Sequence, residues 1–507
     1  MLSTFLIYLS TTTTLPLLVS AECTFWGQEA CDSYRSSAIR VVTKTSTSTV
    51  IFHRLGNHYM RIRGVWPTLP SVAKNGKVVI AACSNNLLIF DPPELTTGAL
   101  DPNTIITDGL YSSYMNVDNF ASSTDISIGG AVISPSSTAV ITEDNKVFWV
   151  NREQSMLYSY DLSVGVNVLP KINISDRTTK KNGFRTYKAE FPLLYYNGFI
   201  HMPDPNHHAD LRINVIDGSS TYADSTELLL EGHRLQGSCG STGGTLDGDK
   251  SVVFLDYGTG GTSGDLYGAY SIDSDGKSEL WRSSVEFDSA NFEFSHPIHL
   301  DFSGIIAGLQ CDIALVWETA GVRISGMNSK TGKACGKWES NEPNGDFGTY
   351  IITDINTENA NWVSGPAVIK DDDYNGYWLY ANVNQVRAAN QSQVCSLLQV
   401  FISNEGVLYQ TGQFYTRRLR NTSCNAAPVV LLDLWGKEQH GIVVLLSNGT
   451  LAYFLHNSEG QASLKTSFSL FPYLPDGNLP INDRPAFDFA GNYMAATTSG
   501  AVLFVVH

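Results

Sequence analysis

Charge is scarce in this chain. Charged residues fill 16% of its 507 positions, the formal net charge is −16, and there is no basic tract. Phosphate backbones and anionic membrane surfaces are held by clustered Lys and Arg, so no nucleic-acid partner is expected. Long apolar runs are missing too. Beyond residue 21 no segment has the ~18–20 uninterrupted apolar residues of a spanning helix, so no membrane insertion is expected. Catalytic signatures are also lacking. There is no Gly-x-Ser-x-Gly elbow, no His-Glu-x-x-His pair and no pair of adjacent cysteines. The sequence therefore offers no convincing catalytic set, and an enzyme is not the first reading.

What is plentiful is Gly, Ser, Thr and aromatics, the composition of a sheet-rich secreted protein rather than of a coiled coil or a disordered chain. The start, residues 1–21, is apolar or hydroxylic and ends in Val19-Ser20-Ala21. The small residues at 19 and 21 fit signal cleavage, which leaves 22–507 as one mature domain. The first residues carry no Lys or Arg, and a short membrane anchor is the competing reading. Eight cysteines behind a signal point to disulfides, with Cys23–Cys31 and Cys395–Cys424 as local pairs. Buried free thiols are the alternative. Sequons at Asn173, Asn390, Asn421 and Asn448 fit a secreted glycoprotein.

The stretch from Pro428 to Phe468 sets the pattern. It holds four short apolar or alternating runs split by polar residues, and Asn448-Gly449 predicts a type I′ hairpin between two of them. A lone four-stranded sheet cannot bury both faces, so it needs stacked neighbours. Similar units open at Pro70, Gly130, Pro192, Gly243, Pro297, Pro366, Pro428 and Pro485, 51 to 69 residues apart. The prediction is an all-β fold, an eight-bladed β-propeller. The last unit is one strand short, while Ile39–Val42 and Thr49–Phe52 are surplus at the start. An N-terminal strand is therefore expected to complete the last blade and remove an open edge. A separate N-terminal hairpin is the competing arrangement.

Two segments carry a family resemblance. Ile324–Trp338 includes Asn328, Thr331-Gly332-Lys333 and Trp338; Gly268–Trp281 includes Asp273, Gly276-Lys277 and Trp281. Both resemble the tryptophan-docking repeat of the quinoprotein-dehydrogenase-like (PQQ-like) propellers. There a strand ends in Ala-x-Asp, a Thr-Gly-Lys turn follows, and an outer-strand Trp packs between blades. Here the Ala position holds Ser271 or Gly326, the first turn has Asp275 in place of Thr, and each Trp comes late. The resemblance implies an eight-bladed ring. It does not transfer an activity. Dehydrogenases of that superfamily carry an adjacent cysteine pair near the cofactor, so no quinone is expected here.

The sharpest local signal is Asp371-Asp372-Asp373-Tyr374-Asn375-Gly376 between two strand-like runs. Asp371, Asp373 and Asn375 place oxygen atoms at alternate positions with a Gly for the sharp turn, as a calcium loop does. The last ligand position of a full EF-hand holds Asn382 instead of Glu, and a solvated turn is the alternative. His201, Asp204, His207, His208 and Asp210 hold metal-ligand types, but read better as a polar surface loop. Glu190, His296, His299, Asp301, Asp483 and Arg484 flank strand openings, where propellers gather ligands, and read equally as loop residues. The expected function is a secreted binding module for a protein or glycan. The second possibility is an oxidoreductase or hydrolase using the central channel.

Overall fold

The computed structural model describes residues 25, 27–28, 31, 36–41, 366 and 462. It also describes the stretches 71–82, 139–151, 156–174, 193–204, 209–224 and 422–456, and the strands named below. Among these residues there is no helix. Two N-terminal strands come first, β1 (Ala38–Arg40) and β2 (Thr49–Arg54). The first sheet follows with β3 (Ser71–Val72), β4 (Val78–Ala82), β5 (Asn86–Phe90) and β6 (Ser113–Asn116). The second has β7 (Val140–Ile141), β8 (Lys146–Asn151), β9 (Met156–Asp161) and β10 (Ile172–Asn173). The third has β11 (Leu194–Tyr196), β12 (Phe199–Asp204), β13 (Ala209–Asn214) and β14 (Ser220–Asp224). The fourth has β15 (Arg234–Leu235), β16 (Gly240–Leu246), β17 (Asp249–Thr259), β18 (Asp265–Ile272) and β19 (Glu279–Phe287). The fifth has β20 (Ile298–Leu300), β21 (Ile313–Glu318), β22 (Arg323–Asn328) and β23 (Gly348–Ile351). The sixth has β24 (Ala360–Trp362), β25 (Ala367–Asp371), β26 (Gly376–Gln385), β27 (Val394–Ser403) and β28 (Leu408–Tyr415). The seventh has β29 (Val429–Leu432), β30 (Gly441–Leu445), β31 (Thr450–Leu455) and β32 (Ser463–Ser469). The eighth has β33 (Ala486–Phe487), β34 (Tyr493–Ala496) and β35 (Ala501–Val506).

Within each sheet, strands consecutive in sequence are mostly neighbours and pair antiparallel, as short runs joined by tight turns must. The sheets succeed one another along the chain, and six pairs of them meet through their opening strands, which in the fourth and sixth sheets are β16 and β25. Thus β3 touches β7, β7 touches β11, β11 touches β16, β16 touches β20, β25 touches β29, and β33 touches β3. This is the strand organisation of a β-propeller.

Alternation explains how a sheet with two apolar faces is satisfied. In the second sheet Ile141, Val147, Trp149, Tyr158 and Tyr160 pack with Val79 and Ile89 of the first sheet. Val140, Phe148, Val150 and Leu157 pack on the other side with Ile200, Met202, Leu211 and Ile213 of the third. Successive residues point to opposite faces, so one strand feeds two cores. Phe148 and Trp149 are both fully buried, each worth roughly 1.5–3 kcal/mol of transfer free energy or more.

Seven of the eight expected openings fall just before or within an opening strand. The second, Gly130, lies outside the described residues; the first described strand of that sheet is β7 at Val140. The Thr138–Thr142 run holds this strand, and it lies at the sheet's edge because it pairs only with β8.

The Asn448-Gly449 turn also differs from expectation. Gly449 has φ 76° but Asn448 is not in the positive region, and the loop is three residues long. Gly449 N–H donates to the Leu446 carbonyl at 2.9 Å and Leu446 N–H to the Thr450 carbonyl at 2.9 Å. That is a type I turn with a bulge, which needs a left-handed residue only at its last position. A turn of the I′ kind occurs instead at Asn197-Gly198, with φ 51° and 81°.

The N-terminal strands separate. β2 pairs antiparallel with β35 over Thr49–Arg54, beside the three-stranded eighth sheet. β1 goes elsewhere, lying parallel to β29 at the edge of the seventh sheet, with Ile39 opposite Leu431. The two do not form a hairpin with each other.

Candidate functional site

The sixth and seventh sheets share a polar seam. Every second residue of β26 faces the seventh sheet, as strand geometry requires. Trp378 lies edge-on to His456, with ring centroids 5.6 Å apart. Tyr380 hydrogen-bonds His456 Nδ1 through its hydroxyl. Asn382 Nδ2 donates to the Ala426 carbonyl at 2.6 Å. Asn384 clasps Cys424, donating to its carbonyl at 3.2 Å and accepting its N–H at 2.6 Å. The Cys395–Cys424 disulfide, with Cα atoms 4.8 Å apart, pins the same segment and bears out that pairing.

His440 and His456 flank the strands β30 and β31, whose register sets Gly441 opposite Leu455. The two rings therefore stack at 5.7 Å, and His456 N–H donates to the His440 carbonyl at 2.9 Å. The Asp433–His440 turn closes the other side. Asp433, at φ 59°, donates its N–H to His440 Nδ1 at 3.0 Å, accepts Glu438 N–H at 2.8 Å and pairs with Arg40 of β1. Arg40 is 43% exposed, so that ion pair is worth at most about 1 kcal/mol.

Burial sets the protonation states of the seam. It pushes His456 down to about 3, with the neighbouring His440 adding to the effect. Burial also holds the Tyr380 hydroxyl well above its ordinary value, with Asp371 in the same direction and a hydrogen bond with Gln399 opposing. Tyr380 therefore stays protonated and donates, while His456 stays neutral and accepts. In these states the seam's hydrogen bonds and ring contacts serve packing and register between the two sheets. The sequence reading missed both histidines, although the signal was present: each sits one residue outside a paired strand.

The predicted site residues are distributed as follows. Asp371 ends β25 opposite Gly376, and its Oδ2 accepts the Trp378 indole N–H at 2.5 Å. Asp373 and Asn375 lie outside the described residues. Asn448 is exposed, with its Oδ1 accepting Thr450 N–H at 3.0 Å; Asn173 is half-buried in β10. Asn390 and Asn421 lie outside the described residues, as does Cys23, although Cys31 is disulfide-bonded. The expected His201–Asp210 surface loop is instead mostly strand. His201 is buried in β12 opposite Arg212, and Asp210 of β13 pairs with Pro203, because apolar Met202 and Leu211 pull the segment into the core. Of the residues flanking strand openings, only His299 is described, in β20. In the two repeats, Trp281 falls in β19, the outermost strand of its sheet, opposite Ser271; Asp273 and Trp338 lie outside the described residues.

A feature the sequence did not announce is where residues 27–28 and 36–41 lie. Ile141 of β7 donates its N–H to the Gly27 carbonyl at 2.6 Å. The Gln28 side-chain amide takes both backbone groups of Tyr195 in β11, donating to its carbonyl at 3.3 Å and accepting its N–H at 2.9 Å. Val368 of β25 donates to Ser36, Val430 of β29 donates to Ser37, and Val41 donates back to Leu432, at 2.9 to 3.0 Å. Every partner is on an opening strand.

No protein family matches the chain, and no curated protein does either. Among solved structures it is similar to a virginiamycin B lyase from Staphylococcus aureus. Identity there is 12% and the TM-score 0.39, over 73% of this chain and 94% of that one. It is similar to the β-propeller domain of Nup133 from Vanderwaltozyma polyspora at 10% identity and TM-score 0.39, over 92% and 99%. A third is the extracellular domains 1-2 of Drosophila Semaphorin 1a, at 8% identity and TM-score 0.39, over 73% and 86%. Likenesses this distant transfer no activity, and the propeller organisation rests on the sheets themselves.

Proposed function

We propose that the chain is a secreted, glycosylated eight-bladed β-propeller, akin to the quinoprotein-like rings, that serves as a binding module for a protein or glycan. Eight sheets in chain order, the β33 to β3 contact and the β2 to β35 pairing support a ring closed by the N-terminal strand. The observation that carries the binding role is a pair of adjacent turns on the second and third sheets. Val164 (67% exposed), Val166 (56%) and Ile216 (80%) stand on their tips. The second turn packs against the β9–β10 connection, since a methyl group at Gly218 would sit 3.6 Å from Leu169. Apolar tips held in water by rigid sheets are what a protein partner buries. The test is binding of the purified chain to arrayed extracellular proteins and glycans. Val164→Asp with Ile216→Asp is expected to abolish a protein interaction without unfolding the chain. Retained binding removes that surface from the reading. A stoichiometric quinone chromophore in the purified protein favours the enzyme alternative instead.

Calcium at Asp371, Asp373 and Asn375 is a second reading. It is favoured by the hairpin register, which fixes Asp371 at the mouth of the turn with one carboxylate oxygen oriented by Trp378. Glycosylation is read most readily at exposed Asn448, and a mass shift there on treatment with an N-glycosidase tests both secretion and modification.

A further inference from the structure

The edge of β29 that faces away from β30 is occupied. Residues 36–41 lie along it, and β1 adds to it in parallel, with Ala38, Ile39 and Arg40 opposite Val430, Leu431 and Leu432. A parallel neighbour cannot arrive by a tight hairpin, so this strand comes from a distant part of the chain. Main-chain bonds join the segment to two sheets at once. Val368 of β25 donates its N–H to the Ser36 carbonyl at 2.9 Å, and Val430 of β29 donates to the Ser37 carbonyl at 2.9 Å. Val41 donates its own N–H to the Leu432 carbonyl at 3.0 Å. This is how an extended peptide adds to a sheet edge, with backbone bonds giving affinity and side-chain pockets giving specificity. We propose that β25 and β29 together form a binding site for an extended peptide, which β1 fills in cis as an autoinhibitory strand.

The cis strand shows what the site accepts. Ala38 is buried in the core that holds Ala367, Ile369, Val430 and Leu432, a position filled by a small side chain. Ile39 points to the other side of the strand and is fully buried, a position for an aliphatic one. Arg40 pairs with Asp433 at the water's edge. The ligand class is therefore an extended peptide that reads small, aliphatic, basic. The cis strand is also lightly held for one so buried. It is three residues long and is the last strand of its sheet. Ser37, just before it, has φ 51°, a left-handed backbone that a residue with a side chain adopts at a cost. The Arg40 ion pair is too exposed to add much. Short, strained edge elements open more readily than the strands they lie on. The site belongs to the sixth and seventh sheets, so it is separate from the tips at Val164, Val166 and Ile216 on the second and third.

The test uses the full chain carrying Ile39→Asp, which puts a charge at the buried aliphatic position, and a fluorescein-labelled synthetic peptide with the sequence of Ser36–Val41. Fluorescence anisotropy is expected to show saturable binding to the variant. The wild-type site is already filled, so its apparent affinity is expected to be lower on the order of tenfold or more. A peptide with Asp at the Ile39 position is expected not to bind. Hydrogen exchange locates the peptide. The Val368 and Val430 amides should exchange faster in the variant than in the wild type, and slow again on the order of tenfold when the peptide is added. Arg40→Glu, which sets two carboxylates against each other at Asp433, is the second variant and serves if Ile39→Asp does not fold. Absence of saturable binding to a folded variant overturns the proposal. Binding that leaves both amides unchanged, or that is equal in the wild type, overturns it as well. Concentration-dependent dimers that the peptide dissolves would assign the edge to a second copy of the chain and overturn the reading of a separate peptide ligand.

Discussion

Lowering the pH should weaken the seam through His456. Its folded value lies near 3 against 6.5 for the free side chain. The direction follows from proton counting. Between those values the unfolded chain binds a proton that the folded chain refuses, so stability rises with pH. The contribution is complete above pH 6.5 and is lost as pH falls toward 3. The full shift, at about 1.36 kcal/mol per unit, is worth roughly 5 kcal/mol. At pH 4.5 the loss relative to the neutral plateau is on the order of 2–3 kcal/mol. The comparison is between the wild-type chain and His456→Asn, which keeps an acceptor for Tyr380 but has no proton to gain. Urea unfolding is followed from pH 7.5 to 4.5. The wild type should lose stability more steeply than the variant as pH falls, and the gap between the two should narrow in acid. Equal slopes would refute the view that His456 is held neutral by burial.

Other outcomes follow from the same region. Cys395→Ala with Cys424→Ala opens a loop spanning 29 residues and should cost roughly 3–4 kcal/mol in chain entropy, read as a fall in the denaturation midpoint. Gly376→Ala drives a methyl group into the Ile402 carbonyl and the Phe401 ring; since a strand carbonyl cannot swing aside, a loss of about 1–3 kcal/mol is expected in thermal unfolding. Elemental analysis should find one calcium per chain that Asp373→Ala loses, with calcium titration changing the fluorescence of Trp378. A metal-free wild type dialysed against calcium would end that reading.

Much of the fold was legible because its signals are local. Strand runs after Pro192, Pro297, Pro366, Pro428 and Pro485 are bounded by turn residues, and a proline before a strand forces the preceding chain out of the ladder. The destination of β1 was not legible. Ala38-Ile39-Arg40 is as strand-like as Val50-Ile51-Phe52, and only the free inner edge of β29 and the Asp433 carboxylate tell them apart. The seam was hidden for a similar reason. His440 and His456 become neighbours only once register is known, and Trp378, Tyr380, Asn382 and Asn384 read as an ordinary alternating strand. The β25–β26 hairpin was legible from sequence alone, because two apolar runs flank a polar stretch closed by Gly376.

The most direct measurement concerns the closing of the ring. Phe52 and Leu503 are opposite each other in the β2–β35 register, so Phe52→Cys with Leu503→Cys places two thiols within disulfide reach. A propeller sealed by its N-terminal strand predicts a cross-link between these two introduced thiols in the oxidised chain, found by mass spectrometry of unreduced peptides. A folded chain in which they remain unlinked, or pair with other cysteines, would contradict it.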